Sequence, residues 1–383
     1  MISNINPQSV KNKRVLLRVD LNLPMLNGNI LSMARWRQVA PTIDQILSFE
    51  PKKLIVVSHF GQPKGFEARF SLSHVQQVIQ KDVPSMKLIQ KISDSSQDGV
   101  LFLLENVRFD AREKASDQTL IDEYLSMVDL VVYDAFSVGH RKHGSVYGIM
   151  SQARQFLFGP SFAKEKSAID NALARPGTRV AILSGSKIST KLPILKKMLV
   201  WADHILVGGG IANTLLHAKG LSLKKSLVDL NAIEDANHIL KHADKIILPV
   251  DGINQKMAVV DFKNINMDED DSILDIGPAT CQLFAKYVDQ AQTVLWNGPM
   301  GYYENENFQI GTQKIALAIA ESSAYAIIGG GDSVAAVEDL NIEHQFDYIS
   351  TSGGAFLHYI AYGSLPVLEA VKENRIYLEE IVS

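Results

Sequence analysis

Thr293-Val294-Leu295-Trp296-Asn297-Gly298-Pro299-Met300-Gly301 is a short apolar run that stops abruptly in a glycine-bracketed turn. A second stop of the same kind follows at Ala326-Ile327-Ile328-Gly329-Gly330-Gly331-Asp332-Ser333. In an open parallel sheet, ligands bind just beyond the carboxyl ends of the strands. Two such stops close together, one of them reaching an Asp, point to a nucleotide phosphate tail with a metal nearby.

The same pattern extends outward in both directions. Apolar runs occur at 14–20, 53–59, 101–104 and 130–135, then at 179–184, 204–208, 245–250, 272–276, 293–296, 324–328 and 346–350. They are rich in Val, Ile and Leu and do not alternate with polar residues, so both faces are buried, as in a parallel sheet covered by helices. Helical spacing separates them, for instance at 117–128, 192–202, 233–243, 278–291 and 307–322. Another amphipathic stretch, 162–175, is ended by Pro176-Gly177 near the middle of the chain. This alternation predicts an α/β fold of two similar-sized lobes, each a mainly parallel sheet flanked by helices, joined by an interdomain helix at 162–176. The lobes then span 1–161 and 177–365, and 383 residues suit two domains of ~150–200 residues each.

Composition narrows the partners. Hydrophobic content of 46% and charged content of 21% are ordinary for a globular protein. A net charge of −4 gives no global attraction to nucleic acid or anionic lipid, and neither partner is expected. Cys281 is the only cysteine, which excludes an internal disulfide and fits a reducing cytoplasm. Its neighbours read as a helix interior, so a buried bystander competes with a reactive thiol for which no activating base is visible. No apolar stretch reaches ~18 residues, and the N-terminus lacks a basic region followed by an apolar core.

The first half places cations and polar groups at its strand ends. The strand that starts at Arg14 ends in Asp20, Asn22 and Pro24, and the one ending Val56-Val57-Ser58 is followed by His59 and a turn at Gly61-Gln62-Pro63. Leu103-Leu104-Glu105-Asn106-Val107-Arg108 and 134–143, with His140-Arg141-Lys142-His143, repeat the theme. If the strands are parallel, His59, Arg108 and Arg141 converge at one edge and suit a small polyanion. Each cation alone also reads as a structural pair, and His140 with His143 reads as a metal fragment lacking a third ligand. Arg35 alone is unremarkable.

The second half reads as phosphate-handling. Ser184-Gly185-Ser186-Lys187 follows a strand and opens a helix carrying Lys187 and Lys191. Small residues permit close backbone approach, and a helix N-terminus offers free N–H groups to an anion. The spacing is not that of a Walker A loop. Like charges four apart repel, so a bound anion accounts for the lysines better than an exposed pair does. Gly208-Gly209-Gly210 and Ser352-Gly353-Gly354 are further small-residue turns, or simply tight connections. Asp332 at a strand end suits Mg²⁺ held against phosphate oxygens, or a helix N-cap.

Taken in order, these blocks resemble phosphoglycerate kinases nearly end to end. The matching stretches are RVDLNLP (18–24), SHFGQP (58–63), LLENVRF (103–109), DAF (134–136), HRKHGS (140–145), SGSKIS (184–189), VGGGIA (207–212), DIGP (275–278), WNGPMG (296–301), GGGDS (329–333) and STSGGA (350–355). The resemblance implies a monomeric cytoplasmic glycolytic enzyme. Its N-terminal lobe would hold 3-phosphoglycerate or 1,3-bisphosphoglycerate, its C-terminal lobe MgADP or MgATP, and residues 366–383 would return to the N-terminal lobe. It implies triose contacts from Asp20, Asn22, Arg35, His59, Gln62, Arg108 and Arg141. It implies nucleotide contacts from Gly185, Lys187, Lys191, Gly209, Asn297, Pro299, Glu304, Gly330, Gly331, Asp332 and Ser333. Arg35 and Lys187 become the catalytic pair, Asp332 the Mg²⁺-side carboxylate, and Gly353 and Gly354 the phosphate-stabilising turn. Asn297 and Pro299 would border the nucleoside and Glu304 a ribose hydroxyl. Transfer would be in line, after lobe closure.

The chain departs from the family pattern at several points. Gln62 stands where the family carries Arg, Ser184-Gly185-Ser186 where Gly-Gly-Ala is usual, Asn213 where an aromatic is expected, and Ser352 where Gly is usual. Two other readings remain open: a catalytically retired relative that only binds nucleotide, and a kinase for another carboxylate such as acetate. Retention of Arg35, Lys187 and Asp332 weighs against the first, and the many cations of the N-terminal half against the second.

Overall fold

The computed structural model describes residues 5–382 apart from 27 and 243, and for 375–382 the helical backbone alone. It divides into two compact units, Met1–Lys166 with Ser364–Ser383, and Ser167–Gly363. The division falls inside the helix Pro160–Ala174.

The first unit contains β1 (Arg14–Val19), a small hairpin of β2 (Met25–Leu26) and β3 (Asn29–Ile30), then β4 (Lys53–Val57), β5 (Lys87–Ile89), β6 (Leu101–Leu104), β7 (Leu130–Asp134) and β8 (Phe156–Phe158). Its main sheet runs β5-β6-β4-β1-β7-β8 with every pair parallel. Val15, Leu17 and Val19 of β1 pack with Ile43 and Ile46 of the helix Ala34–Ser48 in one fully buried cluster. Each such side chain contributes roughly 1.5–3 kcal/mol on burial. The chain leaves β1 toward β4 on one side and later reaches β7 on the other. The carboxyl ends of β1 and β7 therefore flank a switch point, where open α/β sheets form their binding crevice.

The second unit contains β9 (Arg179–Leu183), β10 (His204–Val207), β11 (Ile246–Ile247), β12 (Asp251–Asn254), β13 (Val259–Asp261), β14 (Ile273–Ile276), β15 (Thr293–Asn297), β16 (Tyr325–Gly329) and β17 (Tyr348–Ser350). Its parallel sheet has the order β11-β10-β9-β15-β16-β17, and its switch point lies between β9 and β15. The strand quoted at the outset is therefore central to this sheet.

Two strand expectations change. The run 245–250 gives only the two-residue β11 and ends ahead of Pro249, whose missing N–H cannot continue a ladder; β12 starts after it, at Asp251. The run 272–276, expected in a parallel sheet, is β14 of a separate antiparallel sheet ordered β13-β12-β14.

The helix Pro366–Val382 is held against elements of the first unit. Val367 N donates to Gly139 O at 3.1 Å, and Asn374 Nδ2 donates to Met150 O at 3.0 Å and Ala153 O at 2.9 Å. Ser383 lies outside the described residues. Among the described residues no helix is long and apolar enough to cross a membrane.

Candidate active site

At the first switch point, Asp20 follows β1 and organises its surroundings. Arg35 Nη1, from the first turn of the helix Ala34–Ser48, lies 2.9 Å from Asp20 Oδ2 and donates to Asn22 O at 2.9 Å. Ser137, following β7, donates its hydroxyl to Asp20 Oδ2, so the two sides of the switch point are joined. Asn22 Oδ1 accepts from Gly61 N at 2.7 Å, tying this loop to the one after β4. Burial alone would raise the Asp20 carboxyl, but Arg35, ahead of His59 and Ser137, outweighs it and holds it at about 2.

His59 follows β4 with Nδ1 4.0 Å from Asp20 Oδ1. Burial pushes its imidazole well below the ordinary value. Asp20 opposes that shift, and the charges of Arg18, Arg108 and Arg35 add to it.

Arg108 follows β6, and its Nη1 donates to Gly61 O at 2.6 Å while its Nε is buried with no hydrogen-bond partner among the described residues. Burial, then the charges of Arg141 and Arg18, lower its pKa to about 10. His143 is pushed down to about 4 by burial and by Arg108 and Arg141. Asp20, Asn22, Arg35, His59 and Arg108 are thus brought together, and Arg141 is coupled to them through its charge. Gln62 is exposed.

Sequence reasoning missed Arg18, Ser137 and Glu113. Arg18 is only 1% exposed and donates from Nε to Ser145 Oγ at 3.1 Å. The same hydroxyl donates to Glu113 Oε1 at 2.6 Å. The available signal was a charge interrupting the apolar run of β1.

In the second unit, Lys187 is exposed and caps the helix Ile188–Trp201. Asp229 accepts from Ser189 N at 3.2 Å and Ser189 Oγ at 2.7 Å, covering part of that N-terminus. Lys191 turns inward, where its Nζ donates to Asn297 Oδ1, and burial lowers its pKa to about 8. Asn297 Nδ2 donates to Gly329 O at 2.5 Å, and the residue is buried away from the cavity wall. Its role here is to hold Lys191 and the end of β16.

A cavity of about 390 Å³ opens beside the switch point. Gly185, Gly209, Pro299, Glu304 and Asp332 line it, together with Asn213, Phe262, Ile273 and Met300. The loops around it are laced together: Ser184 N donates to Asn297 O at 3.0 Å and Gly209 N to Met300 O at 3.0 Å. Gly298 has φ +97°, and a Cβ there would lie 2.3 Å from Ser184 O, so only glycine fits. Ser333 directs its hydroxyl to Gly329 O at 3.1 Å. Gly330 and Gly331 open the helix Gly331–Asp339, and Gly353 and Gly354 open the helix Gly354–Tyr362; none of these lines the cavity.

Burial and the charge of Glu304 both raise the Asp332 carboxyl. Two carboxylates that repel each other at a cavity wall fit a dication. Among the described residues no group of three or more His, Cys, Asp or Glu could hold a metal by itself. This donor set therefore suits Mg²⁺ carried in by nucleotide phosphates.

The phosphoglycerate kinase family model matches residues 5–362. A phosphoglycerate kinase from Baumannia cicadellinicola subsp. Homalodisca coagulata is 38% identical over 382 residues, covering 97% of this chain and 98% of the relative. The solved phosphoglycerate kinase from Coxiella burnetii superposes with a TM-score of 0.88 at 36% identity, covering 97% of this chain and 99% of the other. That from Pyrococcus horikoshii OT3 gives 0.84 at 30% identity, covering 96% and 98%. The chain belongs to the phosphoglycerate kinase family.

Proposed function

We propose that the chain performs its family's reaction with the triose on the first unit and the nucleotide on the second. The reaction is a reversible step of glycolysis: phosphoryl passes from 1,3-bisphosphoglycerate to ADP, giving 3-phosphoglycerate and ATP. His59, Arg108 and Arg141, with Asp20 and Asn22, orient the triose. The observation that carries this reading is the buried cluster of Arg18 and Arg108, with the Nε of Arg108 unpartnered among the described residues and its pKa lowered to about 10 by burial, then by the charges of Arg141 and Arg18. Positive charge concentrated to that degree is stabilised by a polyanion.

Phosphoryl transfer needs positioning and charge neutralisation more than covalent help. Arg35 and Lys187 serve the equatorial oxygens of the transferring group, and the N–H groups at Gly353 and Gly354 add hydrogen bonds. Gly185, Gly209, Pro299 and Glu304 border the nucleoside; Lys191 and the Gly330–Ser333 turn serve its phosphates. Asp332, with the nucleotide phosphates, would hold Mg²⁺, which would shield phosphate charge. No general base is required, because a carboxylate and a diphosphate exchange the group. Transfer follows closure of the lobes, which excludes water. The enzyme acts as a cytoplasmic monomer.

A coupled assay comparing 3-phosphoglycerate with acetate, each with MgATP, tests the proposal. Turnover with 3-phosphoglycerate alone is expected. Equal turnover of acetate overturns the triose assignment, and no turnover with either substrate indicates a retired enzyme.

A further inference from the structure

Asn213 stands on the helix Gly209–Ala218, lines the second unit's cavity and is only 6% exposed. No side-chain hydrogen bond engages its amide among the described residues. The next residue makes the contrast: Thr214 Oγ1 donates to Gly210 O at 2.6 Å and accepts from Asp229 N at 2.9 Å. With no protein partner, the donor and acceptor of this amide are left to whatever fills the cavity it lines. The wall around it is largely apolar, with Leu227, Phe262, Ile273, Ile276 and Met300. An apolar stretch with a few polar groups around it, here Asn213 with Asp251, Asp275, Glu304 and Asp332, suits a flat heterocycle carrying a hydrogen-bonding edge.

An amide offers one donor face and one acceptor face. At its N7 edge adenine presents the complementary pair, an amino donor beside a ring-nitrogen acceptor, whereas guanine presents two acceptors at that edge. We propose that Asn213 is a specificity-determining residue that hydrogen-bonds the adenine edge and selects ADP and ATP over guanine and hypoxanthine nucleotides. This rests on the reading of the cavity as the nucleotide site.

Calorimetric titration of the intact chain with MgADP, MgGDP and MgIDP tests it, alongside Asn213→Leu and Asn213→Ala. The wild type is expected to prefer ADP by about tenfold. Both variants should lose that preference by weakening ADP binding, with GDP and IDP affinities little changed. Alanine is a strong helix former and keeps the test available if the leucine variant does not fold. An ADP-to-GDP ratio unchanged in the folded variants overturns the proposal while leaving the nucleotide site intact. Failure of the wild type to bind any of the three nucleotides overturns the site assignment as well.

Discussion

Arg35 Nη1 lies 2.9 Å from Asp20 Oδ2 and donates to Asn22 O at 2.9 Å, so one nitrogen of the guanidinium carries both contacts. The fork is held from one edge, and its Nη2 and Nε make no hydrogen bond among the described residues. That edge suits the oxygens of a transferring phosphoryl group. Arg35→Ala is expected to lower kcat by about 10²-fold or more. Arg35→Lys should remain impaired, because one ammonium cannot keep the Asp20 contact and present a planar fork. Steady-state kinetics with unchanged kcat in the alanine variant would remove Arg35 from the transition state.

Gln62 is exposed beside a loop whose Gly61 carbonyl accepts from Arg108 Nη1 at 2.6 Å. An arginine at this position adds a cation to the rim of the proposed triose site. Gln62→Arg is expected to lower KM for 3-phosphoglycerate by about twofold to fivefold, with a steeper dependence on salt. A KM that does not fall counts against the idea that this departure weakens triose binding.

The long strands were legible because Val, Ile and Leu runs buried on both faces have few alternatives. β5 and β8 were not, since three residues carry too little pattern. β12 reads Asp251-Gly252-Ile253-Asn254, a polar sequence whose partner β14 lies well along the chain. At the candidate site, motif position marked Arg35 and Asp332 as candidates, but it did not reveal side-chain direction. Asn297 ends β15 with its amide engaged by Lys191 and by Gly329 O, so it meets those groups rather than the cavity.

Ser184 is fully buried, and its hydroxyl has no hydrogen-bond partner among the described residues. Ser184→Ala removes that unpaired group with little change in shape, and should stabilise the protein by about 1 kcal/mol. Gly298→Ala should do the reverse, because its Cβ would press on Ser184 O at a residue with φ +97°. Urea unfolding of both variants checks the pair. A lower midpoint for Ser184→Ala would mean that the hydroxyl contributes to stability after all.

Lys191 gives a pH dependence with a definite sign. Burial lowers its pKa from 10.5 to about 8, so the amine is mostly charged at neutral pH and loses its proton above about 8. A polyphosphate stabilises the charged form, so nucleotide affinity should fall as pH rises through that value, by up to about tenfold per unit for one linked proton. Stability of the free protein moves the other way. Between about 8 and 10.5 the unfolded chain keeps the Lys191 proton that the folded chain has lost, and this contribution therefore rises with pH. Lys191→Arg stays charged throughout and should flatten the affinity profile. Titration with MgADP from neutral to alkaline pH decides the matter: an equally flat profile in the wild type would show that Lys191 does not meet the phosphates.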